Sequence, residues 1–136
     1  MPHSHDHERE AEVLSPQGEA LARLDLERLT RCGAPEAVFA QGKTPGETVA
    51  ISEILVERQG YALITRSGPE AMELLCRRWP TIRRTPHAGS ALAGTPPLLP
   101  QDGRRVAVYC AGTSVLHCVE EADLTLSYRG RLVGIV

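Results

Sequence analysis

Val106-Ala107-Val108-Tyr109-Cys110-Ala111-Gly112-Thr113-Ser114 is the stretch whose reading decides the fold. An apolar, β-rich run stops at a loop of small residues, and a helical pattern starts at once in Val115, Val119, Ala122 and Leu126, with Glu120, Glu121 and Asp123 to the outside. Gly130 ends that helix, and Leu132-Val133-Gly134-Ile135-Val136 supplies a second strand. Strand, helix and strand make a βαβ unit, and a right-handed crossover sets its strands parallel. The turn at its centre aims backbone N–H groups and the positive end of a helix dipole at one point, which suits an anion and most often a phosphate. Thr113 and Ser114 stand where a hydroxyl either caps the helix or meets that phosphate, and the sequence leaves both readings open. Two parallel strands and one helix bury little, so the unit calls for more strands or a partner, and the chain reads as cut short.

Toward the N-terminus, Gly94-Thr95-Pro96-Pro97-Leu98-Leu99-Pro100-Gln101-Asp102-Gly103 suits a semi-rigid linker. It divides the chain into an N-terminal α/β domain at 15–93, a linker at 94–104 and the βαβ unit at 105–136. Within the first domain Ala37-Val38-Phe39-Ala40 is a short strand. Gln41-Gly42-Lys43-Thr44 looks like the tail of a phosphate-binding P-loop but lacks the earlier glycine and the full spacing. A local account serves better: Thr44 caps the next helix, Pro45 takes its first position, and Glu47 closes a capping box worth about 1 kcal/mol. That helix is expected from Pro45 to Gln59, with Ile51, Ile54 and Leu55 on one face and Gly60 as its left-handed stop.

Tyr61-Ala62-Leu63-Ile64-Thr65 has so little polar content that it is expected to be a central strand covered on both faces. From Ser67 a second helix carries Met72, Leu75, Cys76 and Trp79 at helical spacing until Pro80, with Cys76 as core filler. Residues 82–93 suggest short strands around a turn at Ala88-Gly89. Arg77, Arg78, Arg83 and Arg84 form the one basic cluster, either a solvated face or an anion contact. At the start of the domain, Leu21, Leu24 and Leu29 alternate with charged residues over 15–30, which predicts an amphipathic helix with Asp25 and Arg28 paired on its exposed side. Residues 1–14, with His3, His5 and His7, are expected to be a solvated, disordered tail rather than a metal site.

Composition excludes several classes. The 136 residues carry a net charge of −2 with 42% hydrophobic and 24% charged residues, which gives no general attraction to nucleic acid or anionic lipid. No apolar run approaches the ~20 residues that span a bilayer, and no signal-peptide layout opens the chain, so a cytoplasmic location is expected. Cys32, Cys76, Cys110 and Cys118 form no C-x-x-C pair and are expected to be thiols. Cys110 lies at the mouth of the turn, where a helix N-terminus favours a thiolate, although packing alone also calls for a small residue there. His117 and Cys118 are adjacent on the helix and are expected to diverge by ~100°.

Asp25-x-x-Arg28-x-x-Arg31-x-Gly33-x-Pro35-Glu36-Ala37-Val38-Phe39-x-x-Gly42-Lys43-Thr44-Pro45, then Ile64-Thr65-Arg66, the Pro-rich linker and Val106-Ala107-Val108-x-x-Ala111-Gly112-Thr113-Ser114 resemble the LarB-type proteins, relatives of the PurE aminoimidazole ribonucleotide carboxylases and mutases. The resemblance runs from about Ala20 to Val136. It implies an α/β fold in which a small N-terminal domain precedes the first βαβ unit of a PurE-like, flavodoxin-like parallel sheet. It also implies an activity: carboxylation and phosphoanhydride hydrolysis of nicotinic acid adenine dinucleotide, giving pyridinium biscarboxylic acid mononucleotide and AMP on the way to a nickel-pincer nucleotide cofactor. Carbon dioxide or bicarbonate would be the co-substrate. No resident cofactor is required, with magnesium as the one candidate.

By the same resemblance Gly112, Thr113 and Ser114 would hold a substrate phosphate, and complete family members would be homo-oligomers. Arg28, Arg31 and Lys43 are candidate anion contacts from the first domain. Two departures stand out: Val115 replaces the aspartate that follows the family's serine, and the family's ring-attacking cysteine corresponds to no residue up to Val136. No catalytic residue is assigned, and the chain alone is expected not to complete the reaction. A PurE-like carboxylase of another ribonucleotide and a non-catalytic nucleotide-binding or oligomer partner are the alternatives.

Overall fold

A computed structural model describes residues 10–96, 104–129 and 132–136. The expected capping box is in place at the start of helix α2 (Pro45–Gln59). Glu47 N–H donates to Thr44 Oγ1 at 3.2 Å, and Thr44 N–H donates to Glu47 Oε2 at 2.8 Å. Gly60, at φ 90°, ends the helix in the left-handed region and turns the chain into strand β4 (Tyr61–Thr65). β4 pairs in parallel with β3 (Ala37–Phe39) and antiparallel with β6 (Ala91–Gly94), and β5 (Arg83–Arg84) pairs with the far side of β6.

The central strand is covered on both faces, as its composition predicts. Ala62 and Ile64 pack with Ile51 and Leu55 of α2 and with Leu75 of α3 (Pro69–Arg78). Tyr61 and Leu63 point the other way and, with Leu92, meet Leu124 and Tyr128 from the second segment. The period-two alternation of a strand thus feeds two separate apolar layers. Gly94 closes β6 where no side chain fits: its φ is 75°, and a Cβ would stand 2.2 Å from Gly60 O.

The N-terminal end differs from the sequence expectation. Residues 15–30 do not form one helix, and the last five residues of the expected tail are not a tail. Instead β1 (Glu10–Leu14) and β2 (Ala20–Asp25) form an antiparallel hairpin, followed by a short helix α1 (Arg28–Cys32). Ala20-Leu21-Ala22-Arg23-Leu24-Asp25 fits period two as well as period 3.6, and a strand partner decided between them. Ser15 makes the turn: its hydroxyl accepts from Gln17 and Glu19 N–H groups at 3.2 and 3.1 Å, and Gly18 takes φ 83°. Val13, 1% exposed, and Leu24, 4% exposed, join the core beneath α2. With Asp25 at a strand end, its partner is Arg31 rather than Arg28, which pairs with Glu36.

Beyond residue 104 the βαβ unit forms as expected. β7 (Arg105–Val108) and β8 (Leu132–Ile135) are parallel, with Val106 beside Val133, and helix α4 (Leu116–Tyr128) connects them after a short 3-10 turn at Thr113–Val115. Pairing continues past the strands, with Cys110 N–H to Val136 O at 3.0 Å. The buried face of α4 needs correction. Val119 is buried as expected but Val115 is 37% exposed, and a second stripe, Leu124 and Tyr128, seats the helix on the four-stranded sheet. α4 lies between two sheets, so it buries two faces where a single amphipathic pattern shows one. The expected tail at 1–9, most of the linker (97–103) and the stop at Gly130 lie outside the described residues. Among the described residues no helix is long and apolar enough to cross a membrane.

Candidate functional site

The turn after β7 is open. Residues 111–116 are all exposed, and Gly112 adopts φ 91° and ψ 157°, a conformation that side-chain-bearing residues rarely take. A Cβ at Gly112 would meet nothing within 4 Å, so the demand for glycine is conformational rather than spatial. Leu116 N–H returns to Thr113 O, and in the 3-10 pattern the amides of Thr113 and Ser114 form the unpaired start of the helical run. Neither the Thr113 nor the Ser114 hydroxyl makes a hydrogen bond among the described residues. The capping alternative is therefore not realised, and two hydroxyls and two amides share one exposed end with a positive dipole. The half-buried Cys110 thiol donates to Gly112 O at 3.5 Å.

His117 and Cys118 do not diverge as helical spacing predicts. Their Nε2 and Sγ atoms lie 3.2 Å apart, because the imidazole is long enough to reach back over its neighbour. Both residues are exposed.

Glu120 and Glu121, expected on the solvent side, instead dock α4 to the first domain. Glu120 Oε2 accepts from the His87 and Ala88 backbone N–H groups at 2.7 and 2.9 Å, and its Oε1 lies 2.7 Å from His87 Nδ1. Burial pushes the Glu120 carboxyl up, but these hydrogen bonds outweigh it and hold the pKa below the ordinary carboxylate value. Arg66, a non-glycine residue at φ 56°, pairs with Glu121 at 2.8 Å. At the far end of α4, Arg129 donates to Gly33 O, and Tyr128 meets Tyr61 edge to face at 5.3 Å. Burial pushes the Tyr128 hydroxyl pKa up.

These contacts orient the helix. Its N-terminal half lies over Arg66 and His87, at the carboxyl end of β4, and its last turn reaches Gly33 beside α1. Arg28 and Arg31, in α1, therefore sit about 20 Å of helix away from Gly112, Thr113 and Ser114, and each already has a carboxylate partner. Lys43 donates to Phe39 O at 2.8 Å. The length of α4 thus separates Arg28 and Arg31 from the turn.

A second feature lies at the carboxyl end of β4. Arg66-Ser67-Gly68-Pro69 is another strand-to-helix junction, and it borders a cavity of about 700 Å3 reaching to Arg84 and His87. Of the four arginines in the basic cluster, Arg77 pairs with Glu73, and Arg78 pairs with Glu53 and lies over the Trp79 ring. Cys76, expected in the core, is half-buried and lines this cavity. The junction was legible in the sequence, but the role of His87 and Glu120 was not, since 33 residues separate them. Among the described residues no group of three or more His, Cys, Asp or Glu side chains is placed to hold a metal ion.

An α/β protein whose strand-to-helix turns open toward solvent with unpaired donors is the class that this fold and site define. Residues 17–93, more than half of the chain, match the LarB/PurE-like N-terminal domain, and the chain belongs to that family. It is also 30% identical over 113 residues to the Methanocaldococcus jannaschii protein named "uncharacterized protein MJ0165". That similarity covers 79% of this chain, which spans 44% of the relative's length.

Proposed function

We propose that the turn at Gly112, Thr113 and Ser114 is a phosphate site for nicotinic acid adenine dinucleotide, in an enzyme activity that carboxylates the pyridinium ring and hydrolyses the phosphoanhydride to release AMP. The observation that carries this reading is the exposed turn whose two hydroxyls and first helical amides have no partner among the described residues. Family membership supports a PurE-related setting. The dinucleotide, carbon dioxide as co-substrate, the oligomer and the nickel-pincer context come from the resemblance in the sequence.

Within this reading the residues here bind and orient. The amides of Thr113 and Ser114 neutralise a phosphate oxygen, the hydroxyls fix its direction, and Gly112 lets the backbone approach closely. The covalent step on the ring belongs to a cysteine that no residue here matches. Calorimetric titration of the 136-residue protein with the dinucleotide tests the site. Ser114→Ala removes one hydrogen bond to a charged group and should weaken binding by about 1.5 kcal/mol, roughly ten-fold. Equal affinity in the variant would refute the assignment.

A further inference from the structure

His117 and Cys118 open helix α4 with a thiol held against an imidazole, an arrangement that the turn at residues 112–114 does not use. Cys118 Sγ lies 3.2 Å from His117 Nε2, within the reach at which a base takes the proton of a nucleophile. Both residues are exposed, so the sulfur is open to a reactant from solvent. The other cysteines differ. Cys32 is exposed too, but its thiol donates to Arg28 O at 3.1 Å, and the half-buried Cys110 thiol donates to Gly112 O at 3.5 Å. Cys76 is half-buried in the wall of the cavity beside α3. Among the described residues, Cys118 is the one cysteine whose thiol contacts a base.

The surroundings suit negative charge developing on that sulfur. Cys118 sits in the first turn of a thirteen-residue helix, at the positive end of its dipole. The two carboxylates that follow along α4 are engaged by the first domain: Glu120 accepts from the His87 and Ala88 amides, and Glu121 pairs with Arg66 at 2.8 Å. When the thiol proton moves to His117 Nε2, the thiolate can attack one sulfur of an incoming disulfide. The new bond to Cys118 Sγ forms as the old S–S bond breaks, the electron pair leaves on the departing sulfur, and the proton on His117 passes to it. A thiol and a disulfide give a mixed disulfide and a new thiol, so no other oxidant is required.

We propose that Cys118, with His117 as its base, is a modification site that takes up a low-molecular-weight disulfide by thiol–disulfide exchange. The reaction involves neither a nucleotide nor the donors of residues 112–114, so it stands or falls apart from the dinucleotide reading. The test incubates the fully reduced 136-residue protein with millimolar oxidised glutathione, quenches with acid at intervals and measures the mixed disulfide at each cysteine by peptide mass spectrometry. Cys32, equally open to solvent, is the internal control. The adduct should form on Cys118 at least about ten-fold faster than on Cys32 or Cys110. His117→Ala should slow Cys118 by at least about ten-fold while leaving the Cys32 rate and the melting temperature unchanged, since His117 is exposed. Cys118→Ser should remove the fast adduct and leave the slow ones. Equal rates at Cys118 and Cys32, an unchanged Cys118 rate in H117A, or no adduct on Cys118 would each overturn the proposal.

Discussion

Replacing Glu120 by alanine should loosen the attachment of α4 to the first domain, and the cost can be worked from its three contacts. The carboxylate takes hydrogen bonds from His87 N–H, Ala88 N–H and the His87 ring at 2.7–2.9 Å. The His87 side chain is 62% exposed, so water replaces its partner cheaply; Ala88 is only 8% exposed, and its amide is left poorly solvated. The net loss should be about 2 kcal/mol, and about 1 kcal/mol for Glu120→Gln, which keeps one acceptor oxygen. The pH dependence has a definite sign. The folded-state pKa of Glu120 lies below its unfolded value, so the stabilisation is full above the unfolded carboxylate pKa and disappears as pH falls through the folded one. Urea unfolding followed by circular dichroism should show E120A with a midpoint roughly 1 M lower at pH 7, and the gap should narrow at pH 3. Equal midpoints at pH 7, or a gap undiminished at pH 3, would refute the docking role.

Three further substitutions probe the packing. Leu124→Ala opens a cavity against Leu63, Leu92 and Tyr61, and should cost about 2–4 kcal/mol in thermal unfolding while weakening the near-ultraviolet signal of the Tyr61–Tyr128 pair. Gly94→Ala places a Cβ 2.2 Å from Gly60 O at positive φ and should cost about 3 kcal/mol. Gly42→Ala, also at positive φ but with nothing within 4 Å, should cost only about 1 kcal/mol, and an equal loss at both positions would contradict the close-approach argument.

Local chemistry carried most of what the sequence revealed. Thr44, Pro45, Glu47 and Gly60 set the limits of α2 through their own backbone demands, and the unbroken apolar run at 61–65 announced a strand with two covered faces. The failures came where a distant partner decides between patterns. Glu10-Ala11-Glu12-Val13-Leu14 looks like a charged tail until Ala20–Asp25 pairs with it, and that pairing turns an apparent helix into a hairpin. The second stripe of α4 has no clear signature in the sequence because a helix between two sheets shows no single apolar face. At the candidate site, the exposed turn at 112–114 was readable from its glycine and small residues. That Arg28 and Arg31 are held by Glu36 and Asp25 follows only once α1 is a separate short helix. The Glu120 clamp on residues 87 and 88 joins segments no local pattern connects.

The most direct measurement is a titration of 15N-labelled protein with nicotinic acid adenine dinucleotide, read at individual amides. The amides of Gly112, Thr113, Ser114 and Val115 should shift in proportion to occupancy, with an affinity that falls roughly ten-fold in S114A. Saturation by the dinucleotide with those four amides unmoved, or with the same affinity in S114A, would contradict the phosphate site at the start of α4.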